Sequence, residues 1–356
     1  MKFEEVYLKE LVKIKNGKDH KLLKEGNYPV YGSGGVMRYV NKYLYDKESV
    51  LLPRKGTLNN IQFATRPFWT VDTCYYTEIN TTKVIPYFLY SSLRQFNVNA
   101  LNTGATIPSM TFDKYYSIKI NLPSLDNQEK IVNVLKTYDD LIENNQKQIA
   151  LLEEAAQRLY KEWFIDLRFP GYESVKVVDG VPEGWKRGIV ENVATFKRGK
   201  TITKDEVISG EVPVVAGGLS PAYYHNKANT KAPVITVSAS GANAGFTKLY
   251  NIDVFASDCS YVDSNGTPYL YFLYFFLKSD KKKTKCLQKG SAQPHVYASD
   301  LNAMELLIPD ESLLIEYNKL VENIYSKIQL LEIQNIKLKR LRDALLPKLM
   351  SGEIEV

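Results

Sequence analysis

The chain has 356 residues, 46 Lys and Arg against 40 Asp and Glu, and 44% hydrophobic residues; this excludes wholesale disorder and suffices for two or three domains with real cores. Its longest apolar run, residues 268–277, is about half of a membrane span, and residues 1–11 lack the apolar stretch of a secretory signal. Three scattered cysteines suit a reducing cytoplasm, and three histidines with no Cys/His pair at zinc spacing leave no metal site to expect.

Residues 1–124 hold 17 basic and 10 acidic side chains and read as short β-rich runs broken by Gly, Asn and Pro. In order come Leu11-Val12-Lys13-Ile14-Lys15 closed by Asn16-Gly17-Lys18, Pro29-Val30 followed by Gly32 and Gly34, and Ser49-Val50-Leu51-Leu52. The turn Arg54-Lys55-Gly56-Thr57 with Asn59 and Asn60 follows, then Asp72 with Tyr75, Pro86-Tyr87, and a second turn at Asn102-Thr103-Gly104 with Thr106 and Pro108.

The next stretch changes character. Residues 125–183 hold 7 basic and 12 acidic side chains. Ile131, Leu135, Tyr138, Ile142, Asn145, Ile149, Leu152, Ala156, Leu159 and Trp163 follow one another at alternating steps of four and three, the spacing of a coiled-coil seam. Arg168-Phe169-Pro170-Gly171 stops that helix, so a helix over 125–168 and a polar linker over 169–184 are expected.

From residue 185 the punctuation returns. Val193-Ala194-Thr195-Phe196-Lys197-Arg198-Gly199-Lys200 matches 11–18, Pro213-Val214 with Gly217 and Gly218 matches 29–34, and Ser240-Gly241-Ala242-Asn243 matches 55–59. Asp258 with Tyr261 pairs with Asp72 and Tyr75, Pro268 with Pro86, Gly290 with Gly104, and Pro294 with Pro108. A second seam over 311–350, at Tyr317, Val321, Ile324, Ile328, Leu331, Asn335, Leu338, Arg342, Leu345 and Leu349, lies 186 residues after the first. The chain is therefore a tandem duplication. Residues 184–310 hold 15 basic and 11 acidic groups and 311–356 hold 7 of each, so the net charge of +6 divides as +7, −5, +4 and 0. Basic globular blocks alternate with helices that are acidic or neutral, as a polyanion-binding pair of domains would require.

An antiparallel pairing of the helices brings Asn145 opposite Asn335, where two amides would fix the register of an apolar seam. The expected fold class is α+β: two tandem β-rich domains joined by two long antiparallel coiled-coil helices, a pseudo-twofold internal repeat. Each helix would be about 50 Å long. Catalytic signatures are missing: the phosphate-loop glycine that Gly199-Lys200-Thr201 needs is Ala194, and no histidine recurs at equivalent positions.

Tyr160-Lys161-Glu162-Trp163-Phe164, Phe169-Pro170-Gly171 and Gly184-Trp185 resemble the central region of type I restriction–modification specificity subunits. Leu345-Leu346-Pro347-Lys348-Leu349-Met350-Ser351-Gly352-Glu353-Ile354 resembles that family's ending, and Gln128-Glu129-Lys130-Ile131 its helix start. The resemblance implies two target-recognition domains, 1–124 and 185–310, each reading half of a split site in double-stranded DNA, with the helices 125–168 and 311–350 as the ruler between them. It also implies that two methyltransferase subunits dock on the helices and that restriction subunits join through them. S-adenosylmethionine, ATP and magnesium would then belong to those partners, leaving this chain without cofactor, metal or catalytic residues. The alternative is a self-contained restriction endonuclease or adenine methyltransferase.

Loops at equivalent places are the candidate DNA contacts: Arg54, Lys55, Gly56, Thr57, Asn59 and Asn60 with Ser238, Ser240, Gly241 and Asn243, and Asn102, Thr103, Gly104 and Thr106 with Gln288, Lys289, Gly290, Ser291, Gln293 and His295. Glycine admits a close backbone, Lys and Arg take phosphate or guanine, and Asn or Gln pairs with adenine. Tyr31, Trp69 and Tyr223 read as core or turn packing. On the helices, Leu141, Leu151, Leu330 and Ile333 fall outside the seam and would face a partner.

Overall fold

The computed structural model describes residues 2–102, 108–279, 281–290 and 293–356. Packing divides the chain into two compact units, residues 1–143 with 335–356 and residues 144–334. Each unit therefore combines one β-rich block with parts of both long helices, a grouping that cuts across the sequence-based division into blocks and helices.

In the first unit, Phe3–Tyr7 pairs antiparallel with Lys119–Pro123. A four-stranded sheet has the order Val12–Lys15, Cys74–Ile79, Ser49–Pro53, Gln62–Ala64, and a three-stranded sheet the order Gly35–Val40, Tyr28–Gly32, Trp69–Thr70, the last pair parallel. The Val50-Leu51-Leu52 run shows no polar alternation because both of its faces are covered. Val50 and Leu52 join Leu11, Phe88, Leu89 and Tyr115 in the main core, while Leu51 packs on the other face with Phe68 and Cys74. The short helix Pro86–Leu93 begins with proline at a position whose N–H has no helical partner. Its free N-terminus is met by the fully buried Gln128, whose Oε1 accepts from Ile85 N at 2.8 Å while Nε2 donates to the Pro123 and Lys83 carbonyls.

The second unit repeats this order. Lys186–Ile189 pairs with Glu305–Ile308; Lys197–Arg198, Cys259–Asp263, Val234–Ser238 and Thr247–Tyr250 form the four-stranded sheet; Tyr223–His225, Ser209–Val215 and Phe255–Ala256 form the other, again with its last pair parallel. Leu270–Ser279 takes the place of the short helix, with buried Asn318 accepting from Tyr271 N and Phe272 N. Three of the sequence matches shift. Arg54 N donates to Thr73 O and Ala239 N to Asp258 O, so Thr73, not Asp72, is the counterpart of Asp258. Lys15 faces Tyr76 as Lys197 faces Tyr261, so Tyr76 replaces Tyr75 in the match. One extra residue at Asp72 accounts for both. The first helical hydrogen bonds, Leu89 N to Ile85 O and Leu273 N to Tyr269 O, likewise set the short-helix offset at 184, so Pro86 aligns with Leu270 rather than Pro268.

The long helices are Leu125–Tyr160 and Glu311–Ser351. No helix among the described residues is long and apolar enough to cross a membrane. Every predicted seam position is buried or half-buried. In the first unit Ile131, Val132 and Leu135 share a core with Leu346, Leu349 and Met350, so the start of one helix meets the end of the other. In the second unit the rings of Tyr160 and Trp163 lie 6.2 and 5.8 Å from that of Tyr317, again end against start. Both units thus show antiparallel pairing. Asn145 and Asn335 are buried, and Asn145 Nδ2 donates to Gln334 Oε1 at 3.5 Å.

Candidate nucleic-acid interface

In each unit the chain leaves the central strand of the four-stranded sheet into a loop that pairs with a second, distant loop. In the first unit Gly56 N donates to Pro108 O at 3.0 Å, Met110 N to Arg54 O at 2.9 Å, and Lys55 bridges to Ser109. In the second, Gly241 N donates to Pro294 O at 3.0 Å, Val296 N to Ala239 O at 3.0 Å, and Ser240 bridges to His295. The two predicted sets of loop residues are therefore brought together twice, by the same three backbone contacts. Gly56 at φ 86° and Gly241 at φ 77° take the left-handed turn that this pairing needs.

The side chains divide by what holds them. Lys55 and Thr57 are exposed, as is Gln293, and among the described residues no partner holds their side chains. Arg54 lies over the Tyr75 ring at 5.9 Å and donates to Asp72 O at 3.4 Å. Asn59 donates to Asn97 Oδ1 and accepts from Asn99 N, and Asn60 Nδ2 donates to Ser33 O at 2.8 Å. In the second unit Ser240 Oγ and Arg198 both bond Asp258. Ser238 Oγ and Asn243 Nδ2 donate to Gly217 O at 3.1 and 3.3 Å. Lys289 pairs with Asp300 at 2.7 Å, Gln288 donates to Ala244 O, and the His295 ring stacks on Tyr297. Asn102 Oδ1 accepts from Ser109 N, and Gly290 takes φ 92°. Thr103, Gly104, Thr106 and Ser291 lie outside the described residues.

Two features were not read from the sequence. Cys74 and Cys259 occupy the same place, paired with Pro53 and Ser238 at the base of each loop, fully buried. Burial pushes both thiols up to about 12, so neither is a nucleophile at neutral pH. The other is the first hairpin turn of each unit, the Ser33 and Gly217 region, which lies against the loop through the asparagine bonds just described. Gly32, Gly34 and Gly217 were visible as punctuation; their neighbours across the fold were not. Trp69 donates its Nε1–H to Lys18 O and Tyr31 packs on Phe68, as expected of core or turn residues, whereas Tyr223 lies at the exposed rim. Among the described residues no three of His, Cys, Asp and Glu converge as metal ligands would.

A family model described as the type I restriction modification DNA specificity domain matches residues 1–154 and again 182–340. The chain is 26% identical over 348 residues to the type I restriction enzyme MjaIX specificity subunit of Methanocaldococcus jannaschii, covering 88% of this chain and 79% of that protein. It is 25% identical over 370 residues to the HindI specificity subunit of Haemophilus influenzae, covering 78% and 79%. Its fold is similar to that of the crystallised type I restriction–modification S subunit from M. genitalium, with a TM-score of 0.64, 18% identity, and coverage of 98% of this chain and 96% of that one.

Proposed function

The chain belongs to the type I restriction–modification DNA specificity family, and as a specificity subunit of that family we propose that it reads a bipartite double-stranded DNA site, one half with each unit. The observation that supports this reading best is the duplicated pair of loops, held by identical backbone bonds yet carrying different side chains. Unlike half-sites call for such a platform. Lys55, Thr57 and Gln293 are the side chains offered to bases or phosphates, and Arg54 and Lys289 add positive charge. Asn59, Asn60, Asn243 and Ser240 shape the loops.

In this reading residues 1–124 and 185–310 are the recognition domains, 125–168 and 311–350 the helices, and 169–184 the linker. Asn145 and Asn335 set the helical register and thereby the gap between half-sites. Leu141, Leu151, Leu330 and Ile333 are all exposed on the helices and would receive two methyltransferase subunits, through which restriction subunits join. S-adenosylmethionine, ATP and magnesium are assigned to those subunits, and the complex to the cytoplasm. The self-contained nuclease or methyltransferase alternative draws no support from the family match.

The test is methylome sequencing of cells carrying the chain with its methyltransferase partner. Exchange of residues 1–124 for a homologous block is expected to change one half of the methylated site and keep the other half and the gap. Methylation or cleavage by the isolated chain, supplied with S-adenosylmethionine or magnesium, would refute the proposal.

A further inference from the structure

In both units the first hairpin, the one whose turn is tied to the candidate DNA loop, carries apolar side chains outward. In the first unit Val36, Met37 and Tyr39 are exposed on Gly35–Val40, an edge strand. Val30 pairs with Arg38 and Tyr31 with Val36, which makes Met37 the extra residue of a bulge. A bulge re-aims its side chain, and Met37 is 60% exposed. Gly32 makes room for it: a β-carbon there would lie 2.8 Å from Met37 Sδ. In the second unit the connection is longer, and its Leu219 is 57% exposed, followed by exposed Tyr224 on Tyr223–His225.

We infer that this hairpin is a third DNA-reading segment in each unit. Met37 and Leu219 present apolar tips to base edges, where the thymine methyl is the apolar feature of the major groove. Asn60 and Asn243 are positioning residues that hold the turn to the reading loop, through Ser33 O and Gly217 O. The inference rests on the reading that the units bind DNA. Duplex DNA is favoured over a protein occupant because the scaffold recurs while the side chains differ, Val36 and Met37 in one unit and Leu219 in the other. Unlike half-sites call for unlike side chains on one scaffold, and each turn is hydrogen-bonded to the loop already read as facing DNA. Arg66, exposed and 5.8 Å over the Tyr39 ring, adds a cation at the same edge for a phosphate.

The experiment uses the full-length chain in complex with its methyltransferase and a library of randomised sites. Met37→Gln is expected to change relative methylation about tenfold at one base pair of one half-site. Leu219→Gln is expected to do so in the other half-site, with the gap unchanged in both. The double variant Asn60→Ala/Gln62→Ala, which leaves Met37 in place but removes both side-chain bonds to its turn, from Asn60 Nδ2 to Ser33 O and from Gln62 Nε2 to Gly32 O, is expected to relax preference at the Met37-dependent base pair. Unchanged preferences in all three variants would overturn the inference. Loss of the methyltransferase from the Met37→Gln complex would also overturn it, assigning the patch to protein docking. A wild-type complex with no sequence preference would overturn the DNA-specificity reading itself, and this inference with it.

Discussion

At Gly17 and Gly199 the chain passes so close to a neighbouring strand that a β-carbon would lie 2.0 Å from the Val71 carbonyl oxygen and 2.2 Å from that of Ser257. Such a demand is written in the residue itself, and for this reason the repeated Gly-Lys pairs were legible from the sequence. The asparagines were not legible in the same way. Asn60 reads as a candidate DNA contact, and its amide Nδ2 donates to Ser33 O, 27 residues away in sequence; nothing local announces that bond. The buried thiols are a further case, since Cys74 and Cys259 are duplicated residues whose equivalence emerges only from strand register. Their titration gives a prediction. Burial holds both thiols protonated up to about 12, while in the unfolded chain they ionise near 8.5. The folded state binds the extra protons above that pH, so their contribution is complete below about 8.5 and is lost as pH rises towards 12. The melting temperature is expected to fall steadily from pH 8.5 to 10.5. A thiol reagent at pH 7.5 is expected to modify Cys286, which is exposed, and to leave Cys74 and Cys259 unmodified; rapid labelling of all three, measured by mass spectrometry, would contradict the assignment.

The helices show how far a periodic pattern carries. Spacing alone identified the positions that are buried, because a heptad repeat fixes a face whatever that face meets. What it did not distinguish is chemistry within the seam. Arg342, a seam position, pairs with Asp139 at 2.5 Å, and Asp139 also accepts from the Tyr87 hydroxyl. The equivalent places in the second unit are Ala156, Tyr325 and Tyr271, where the two rings pack with centroids 5.2 Å apart and the alanine is fully buried. One unit uses an ion pair where the other uses aromatic packing. Arg342→Ala is expected to destabilise the protein by roughly 2–3 kcal/mol, by leaving Asp139 half-buried without its cation. Combining it with Asp139→Tyr, which copies the second unit, is expected to recover most of that loss. Thermal or urea denaturation of the two single variants and the double variant forms the cycle; strictly additive losses would show that the two sites do not form a unit.

For the molecule as a whole, the duplication was legible because glycine, proline and heptad positions mark architecture, and the fold repeats strand for strand. The grouping into units was not. It depends on which helix parts share a core, and a linear pattern does not report that. Leu346, Leu349 and Met350 belong to the core built by the first hundred or so residues, and Phe3 packs so closely on Gly352 that a side chain there would strike its ring. The second unit, residues 144–334, is continuous in sequence; the first is completed only by residues 335–356. During synthesis on the ribosome, the usual order of domain completion, N-terminal first, is therefore reversed. Nascent chains stalled with residue 334 outside the exit tunnel are expected to protect the second unit from protease while the first remains cleavable, and emergence of residues 335–356 is expected to close it. The half of the protein that is made first is the half that waits.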